Sequence, residues 1–124
     1  MLKRLMITLT ALLAVAAPVA VATASPASAS PRSNAISMAY DYIDTMAFSK
    51  AGLSDQLVYE GFKRPVANYA VDHIAVSWRK QAVRMAKEYL DTMAFSCQGL
   101  IDQLVYEKFS YANASYGAHH SSAC

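Results

Sequence analysis

The chain has 124 residues, of which 55% are hydrophobic and 16% are charged, with a formal net charge of +2 at pH 7. Both excess positive charges lie in the first four residues, so residues 30–124 carry equal numbers of acidic and basic side chains. A neutral chain lacks the basic surface that attracts phosphates, and this argues against nucleic-acid binding. The length allows one domain with a modest core.

Residues 1–29 have the pattern of a secretory signal peptide. Two basic residues precede an apolar run from Leu5 to Val21, and small residues of the Ala-x-Ala type follow. We predict cleavage after Ala29, followed by a short polar lead at residues 30–34. The alternative is an uncleaved membrane anchor, although the run is short for a span of roughly 20 residues. No cysteine near the cleavage region can accept a lipid, so we expect a secreted or surface-associated protein without a lipid anchor.

A duplication with an offset of 47 residues occupies the remainder of the chain. Residues 38–62 read MAYDYIDTMAFSKAGLSDQLVYEGF and residues 85–109 read MAKEYLDTMAFSCQGLIDQLVYEKF, with 18 of 25 positions identical. Repeats of this kind stack so that neighbouring units bury each other. We assign repeat 1 to residues 35–76 and repeat 2 to residues 77–124. Because no flexible linker separates them, we expect the last helix of repeat 1 to run directly into repeat 2 and the copies to share a core.

Each repeat is predicted to contain three short helices, which gives an all-α fold of two tandem three-helix, helix-turn-helix-like units packed together. The first helix of each copy carries apolar residues at helical spacing. The second begins after Ser49 or Ser96, each an N-cap flanked by the Phe and Leu of a hydrophobic staple. The third begins after Phe62 or Phe109, and Ser110 is a suitable cap in repeat 2.

The two cysteines, Cys97 and Cys124, are predicted to form a disulfide because an exported chain meets an oxidising compartment. The bond would close a loop of roughly 28 residues and stabilise the fold by about 3–4 kcal/mol. If it did not form, Cys97 at a helix start would be a reactive thiol. His119 and His120 add ligand types, but the spacing matches no compact zinc pattern and they lie in an expected frayed tail. We therefore predict neither a metal nor a cofactor.

Acidic and amide side chains recur on the second helix of each copy. They are Asp55, Gln56 and Glu60 in repeat 1 and Asp102, Gln103 and Glu107 in repeat 2. Paired acids can perform acid–base catalysis, but behind a buried leucine stripe such residues are more often a solvated face. We predict no catalytic residue and no enzymatic activity. Because these six residues recur without an obvious packing role, we predict a duplicated binding face that allows a bivalent grip.

Eight tyrosines are a large number for so short a chain, and six of them form three pairs related by the repeat offset. Tyrosine can bury its ring and leave its hydroxyl in water, which suits both core edges and protein interfaces. We expect core-edge positions. The pairs are Tyr42 with Tyr89, Tyr59 with Tyr106, and Tyr69 with Tyr116.

The repeated pattern Ala-x-x-Tyr-(Ile/Leu)-x-x-Met-x-Phe-Ser-x-x-Gly-Leu-x-x-Gln-Leu, with the joining segment Tyr69–Trp78, resembles the repeat of the host cell surface-exposed lipoprotein (Ltp-like) family. The resemblance covers residues 36–120. It implies helix-turn-helix-like repeats, an extracytoplasmic location and no enzymatic activity. Family members of phage origin act in superinfection exclusion by blocking injection of a second phage's DNA. Two departures are the missing lipid-attachment cysteine and the end of repeat 2, which lacks the Val-Asp-His-Ile stretch of repeat 1.

Two classes of function follow from these patterns. The first is an interaction module that binds a protein partner at the cell surface, with a phage injection component as the partner that the resemblance implies. The second is a helix-turn-helix DNA-binding module, and a cell-wall polymer binding module is a further alternative that the aromatic residues permit. Export, neutral charge and tyrosine-rich faces favour the first class. We expect no nucleic acid, and contact with a membrane only through an uncleaved signal peptide.

Overall fold

The computed structural model describes residues 30–124, which contain six helices and no strand. The predicted signal peptide, residues 1–29, lies outside the described residues. No helix in the described part is both long and apolar enough to cross a membrane. The predicted all-α fold is confirmed. The helices are α1 (Pro31–Thr45), α2 (Lys50–Tyr59), α3 (Arg64–Asp72), α4 (Trp78–Thr92), α5 (Cys97–Tyr106) and α6 (Tyr111–His119).

Serine side chains start four of these helices. Each serine hydroxyl accepts a hydrogen bond from the backbone N–H three residues later, which satisfies a donor that the helix leaves unpaired. The four caps are Ser49, Ser77, Ser96 and Ser110. Helix α3 lacks such a bond and instead has Pro65 in its first turn, where the missing N–H costs nothing.

Helix α1 begins earlier than the sequence analysis expected. Pro31 is its first residue, so most of segment 30–34 forms the first turn of the helix and is not a separate polar lead. Proline has a backbone angle preset for this position. The polar side chains of this turn are exposed, and the first buried residue of the helix is Ala35.

The three helices of each repeat enclose their own hydrophobic cluster. Leu53 and Leu57 are fully buried in the first cluster, and Leu100 and Leu104 are fully buried in the second. The expected single core is therefore replaced by two. The repeats nevertheless exchange residues at their boundary: Ala47 of repeat 1 belongs to the second cluster, and Trp78 of repeat 2 packs against the first.

The connection between the repeats is not helical, contrary to the prediction of a continuous helix. Helix α3 ends at Asp72, and residues 73–77 have no helical conformation. Ser77 has extended backbone angles (φ −97°, ψ 112°) and its side chain accepts a bond from the N–H of Lys80. A residue in this conformation starts a new helix and cannot continue an old one.

The C-terminal segment is fixed, and the expectation of a frayed tail was wrong. Helix α6 continues to His119, and the N–H of Ser121 then donates to the Ala118 carbonyl at 3.1 Å. Gly117 faces α4 so closely that a Cβ atom there would lie 2.7 Å from the carbonyl carbon of Ala82. Helices α4 and α6 therefore meet at a distance that only glycine permits.

A stack of three side chains joins the first and third helices of each repeat. An arginine guanidinium covers a tyrosine ring, at 4.1 Å in repeat 1 and 4.4 Å in repeat 2, and a histidine stacks on that tyrosine with centroids 3.8 Å apart in both. Such contacts tie the start of one helix to the end of another. The two sets are Arg32, Tyr69 and His73, and Arg79, Tyr116 and His120. His120 is thus the structural counterpart of His73, although the sequence around it differs.

Candidate functional site

A network of tyrosine, glutamine and glutamate links the first two helices of repeat 1. The Tyr42 hydroxyl donates to the Glu60 carboxylate, and the Gln56 side-chain amide donates to the Tyr42 oxygen at 3.2 Å and to Glu60 at 3.3 Å. Gln56 and Glu60 lie one turn apart on α2 and therefore point in the same direction. The bond to Glu60, followed by burial, raises the pKa of Tyr42.

Repeat 2 contains the same network. The Tyr89 hydroxyl donates to the Glu107 carboxylate, and the Gln103 amide donates to the Tyr89 oxygen at 3.0 Å and to Glu107 at 3.4 Å. Burial, followed by the bond to Glu107, raises the pKa of Tyr89. Four of the six residues predicted to form a binding face thus belong to the tyrosine network of their own repeat.

Asp55 and Asp102, the remaining two predicted residues, have different surroundings. Asp55 pairs with Arg64 at 2.8 Å and with Lys108 of repeat 2. The Lys108 bond is the main cause that lowers the pKa of Asp55; burial acts against it, and the Arg64 bond lowers the pKa further. Asp102 is exposed and accepts only from the Gln98 amide, at 2.9 Å, among the described residues. The duplication is therefore not symmetric in its contacts.

Segment 46–49 of repeat 1 docks on helix α4 of repeat 2. The N–H of Ala47 donates to Glu88 Oε2 at 3.1 Å, and the N–H of Phe48 donates to Gln81 Oε1 at 3.3 Å. Arg84 Nη1 donates to the Ile43 carbonyl at 2.6 Å. These bonds give hydrogen-bond partners to backbone groups that would otherwise have none in the short connection between two helices.

The turn after α5 completes the contact between the repeats. Ser49, which is 1% exposed, caps α2 and also donates its hydroxyl proton to the Glu107 carbonyl at 2.5 Å. Lys108 follows with φ +78°, a left-handed conformation that costs a lysine about 1–2 kcal/mol. Repeat 1 has Gly61 at the corresponding position, with φ +112°. Lysine at this strained position reaches Asp55, and glycine could not.

These contacts surround a cleft of about 670 Å³ between the repeats, here called the inter-repeat cleft. Its wall combines thioether and aromatic groups with the charged pair of Asp55 and Lys108. Three of the six predicted residues line it, namely Asp55, Gln56 and Glu107, whereas Glu60, Asp102 and Gln103 do not. Tyr106, which we expected at a core edge, is instead 79% exposed and lines the cleft. Two further lining residues, Met46 and Lys108, were not among the predicted site residues.

Two residues that hold the repeats together left a signal in the sequence. Lys108 and Arg84 are positions where the copies differ, with Gly61 and Ser37 as their counterparts. Residues that hold one copy against the other need not recur, because each repeat contributes a different surface to the contact between them. A search restricted to recurring residues overlooks them.

The predicted disulfide between Cys97 and Cys124 is confirmed. It joins the first residue of α5 to the last residue of the chain. His119 Nε2 lies 3.9 Å from Cys97 Sγ, and the ligand atoms of Cys97, His119 and Cys124 all lie within 4.8 Å of one another. Both sulfurs are consumed in the bond and hence are not thiolates, the form in which cysteine binds a metal.

The sequence model of the family described as host cell surface-exposed lipoprotein matches residues 32–74 and again residues 77–120. The chain belongs to this family. The resemblance noted in the repeat pattern is thereby confirmed, and each match corresponds to one three-helix unit of this family member. A comparison with curated protein sequences gives no match.

A solved structure similar to this family member is that of Ltp, a superinfection exclusion protein from the Streptococcus thermophilus temperate phage TP-J34. The two chains are 33% identical and superpose with a TM-score of 0.71. The match covers 75% of this chain and 97% of the Ltp chain, so both helical units of the present fold take part. Neither description names an enzymatic activity.

Proposed function

We propose that the chain is exported and acts at the cell surface as a superinfection exclusion protein, by binding a phage protein needed for DNA entry. The observation that supports this most strongly is the similarity to Ltp, which extends over 97% of that chain at 33% identity. The N-terminal pattern of basic, apolar and small residues supports export. The residues of the inter-repeat cleft suit recognition, because apolar and aromatic groups lie there beside charged side chains.

We propose the inter-repeat cleft as the contact surface, in place of two equivalent faces. Gln56, Glu60, Gln103 and Glu107 already bond to tyrosines, so replacing them would disturb the fold as well as any binding. The cleft instead offers an apolar wall with an acid and a base at its rim. Surfaces of this composition accommodate aromatic and charged side chains of a partner.

Tyr106 is the best single probe of the cleft. It lines the cleft and remains 79% exposed, so its ring contributes little to packing. Its counterpart Tyr59 is 83% exposed but does not line the cleft. Exposed tyrosines at the centre of an interface often dominate binding. Tyr59 and Tyr106 are the last residues of equivalent helices. The same substitution at each therefore compares a residue at the proposed surface with one outside it.

The test is a phage challenge of a sensitive host that expresses the protein. We expect unchanged phage adsorption and blocked entry of phage DNA, together with a secreted chain that begins near Ser30. Tyr106→Ala should reduce protection at least tenfold, a loss of about 1.4 kcal/mol of binding, whereas Tyr59→Ala should protect like the parent. Full susceptibility to a broad panel of phages would refute exclusion, and equal effects of the two variants would refute the cleft as the contact surface.

A further inference from the structure

Segment 46–49, which packs on helix α4, has a counterpart in repeat 2 that is largely exposed. In repeat 1, segment 46–49 is covered by α4: Ala47 is 3% exposed and the N–H groups of Ala47 and Phe48 reach carboxylate and amide oxygens of that helix. In repeat 2, the Phe95 ring of the corresponding segment 93–96 packs against Tyr89 and the second cluster, but the other residues of the segment are exposed. Ala94 is exposed, and its N–H has no acceptor in the part of the chain that the structure describes.

Three further groups of segment 93–96 are available to a partner. Met93 is 53% exposed, and the N–H of Phe95 has no acceptor within residues 30–124. Ser96 is exposed and uses its oxygen to cap α5, and its hydroxyl proton has no acceptor within residues 30–124. Its counterpart Ser49 donates that proton to a carbonyl of the other repeat. The segment therefore repeats the donor set of segment 46–49 without the acceptors.

The acceptors have their own duplicate at the other end of the chain. The face of α4 that covers segment 46–49 carries Gln81, Met85 and Glu88. At an offset of 47, α1 carries an amide, a methionine and a carboxylate with the same spacing. These residues are Asn34, Met38 and Asp41, and both polar members are exposed. Neither polar side chain has a partner within residues 30–124.

We propose that copies of this chain associate head to tail, with segment 93–96 of one copy on helix α1 of the next. In this arrangement Asp41 accepts from the N–H of Ala94, Asn34 accepts from the N–H of Phe95, and the Ser96 hydroxyl donates to the Glu60 carbonyl of the neighbouring copy. The contact continues the interface that already joins the two repeats. It is heterologous, so it leaves one free face at each end and permits growth into open chains.

The contact between copies is weaker than the contact within the chain. Asn34 and Asp41 are each one methylene shorter than their counterparts, and Ser37 and Gly61 stand where repeat 2 uses Arg84 and Lys108. Association also costs translational and rotational freedom that the covalent connection has already removed. We therefore expect reversible assembly that depends on concentration and is favoured where copies crowd on one surface.

Sedimentation velocity of the purified protein over a concentration series tests the proposal. The average mass should rise with concentration. Ala94→Glu places a bulky charge at the docked position and should weaken association at least tenfold. Ala112→Glu, at an exposed alanine of α6, is the matched control and should associate like the parent. Thermal melts of both variants are the control for folding, and we expect both to melt like the parent.

A variant designed to strengthen the association complements the variant designed to weaken it. Asn34→Gln, Ser37→Arg and Asp41→Glu together give α1 the side chains of α4 at exposed positions, and should strengthen association about tenfold or more. A mass that stays at one chain throughout the series overturns the proposal, and so does an assembly that Ala94→Glu leaves intact. The readout is independent of phage exclusion, so either proposal can fail alone.

Discussion

The two capping serines show how one residue can have two different roles in a duplicated chain. Ser49 and Ser96 make the same cap, at 3.0 Å and 2.9 Å from the N–H they accept. Ser49 is 1% exposed and also donates to the Glu107 carbonyl, whereas Ser96 is exposed and its side chain makes only the cap within residues 30–124. The repeat pattern fixes the cap, and position in the molecule decides whether the hydroxyl proton is used.

Alanine at these two positions should separate the two roles. Ser96→Ala should lower the free energy of unfolding by about 1 kcal/mol, the usual value of a cap. Ser49→Ala should lower it by about 2 kcal/mol, because the half-buried Glu107 carbonyl also loses its donor. Chemical denaturation measures both values. Equal losses would contradict a separate contribution from the bond between repeats.

Asp55 should make stability depend on pH in the acid range. Its pKa in the folded protein lies below the ordinary value of 3.8. A depressed pKa means that the ionised form stabilises the fold: the contribution is complete above the unfolded pKa and is lost as pH falls through the folded pKa. Asp55→Asn should therefore destabilise at neutral pH, and its difference from the parent should shrink when the pH drops below about 3.8.

Asp102→Asn is the control for this pH series. Asp102 has no basic partner among the described residues, so the substitution should change stability by no more than about 0.5 kcal/mol. Urea unfolding at neutral and at acid pH gives the comparison. A difference between Asp55→Asn and the parent that stays constant across the range would show that the ion pairs with Arg64 and Lys108 do not stabilise the fold.

At the scale of helices, the contact of α4 with α6 is closer than its counterpart in repeat 1. Gly117 lies against the Ala82 backbone, and the equivalent position on α3 is Ala70, fully buried against α1. Helix propensity alone would favour alanine at position 117 by about 1 kcal/mol. The contact reverses this preference because a Cβ has no space.

Gly117→Ala should accordingly destabilise the protein by about 2 kcal/mol, since overpacking costs about 1–3 kcal/mol. Ala70→Gly should also destabilise, by about 1 kcal/mol, because it loosens a helix at a site that already holds a Cβ. Thermal melts of the two variants measure these losses of stability, which report how closely each helix pair is packed. A stabilising effect of Gly117→Ala would contradict the close approach.

The disulfide fixes the end of α6 to the start of α5. Cys97 and Cys124 have Lys50 and Ser77 as counterparts, so neither belongs to the duplicated pattern. In repeat 1 the residues after α3 pack against the first cluster as Val76 and Trp78. In repeat 2 the residues after α6 are held by the disulfide, and Ala123 packs against the second cluster.

Cys97→Ser with Cys124→Ser should lower the free energy of unfolding by about 3–4 kcal/mol, the value for a closed loop of this length. Replacing both cysteines avoids a free thiol. Reduction of the parent protein should give a similar loss. A thiol titration that found both cysteines free in the secreted protein would contradict the bond and restore Cys97 as a reactive group.

At the scale of the whole molecule, two hydrophobic clusters are joined by a boundary of hydrogen bonds. Ala47 and Trp78 each pack in or against the cluster of the opposite repeat, so neither repeat is complete alone. The carboxylate of Glu88 and the amide of Gln81 pair two backbone donors across this boundary. Units coupled in this way unfold together as long as the boundary holds.

We therefore expect a single unfolding transition in the parent protein, with equal calorimetric and van't Hoff enthalpies. Gln81→Ala with Glu88→Ala should broaden or split the transition, because both backbone donors lose their acceptors. Lys87→Ala, at an exposed position of the same helix, is the control. A sharp single transition in the double variant would mean that packing alone couples the repeats.

The sequence by itself determined the helical class, the repeat unit and the cap of each second helix. These features depend on neighbours within a few residues: a serine before an apolar stripe, or leucines one turn apart. The duplication strengthened these predictions because each local pattern occurs twice in the chain. The disulfide could also be predicted from the sequence, because the chain has only two cysteines and an N-terminal export pattern.

Only the tertiary structure decided which residues form the candidate site. Gln56 and Glu60 recur because each repeat needs its own tyrosine network, and Lys108 and Asp55 meet because two turns far apart in sequence come together. Recurrence marks contacts within a unit, which every copy must make. Contacts between the two repeats of one chain arise at one boundary, and recurrence alone does not identify them, since Lys108 has Gly61 as its counterpart.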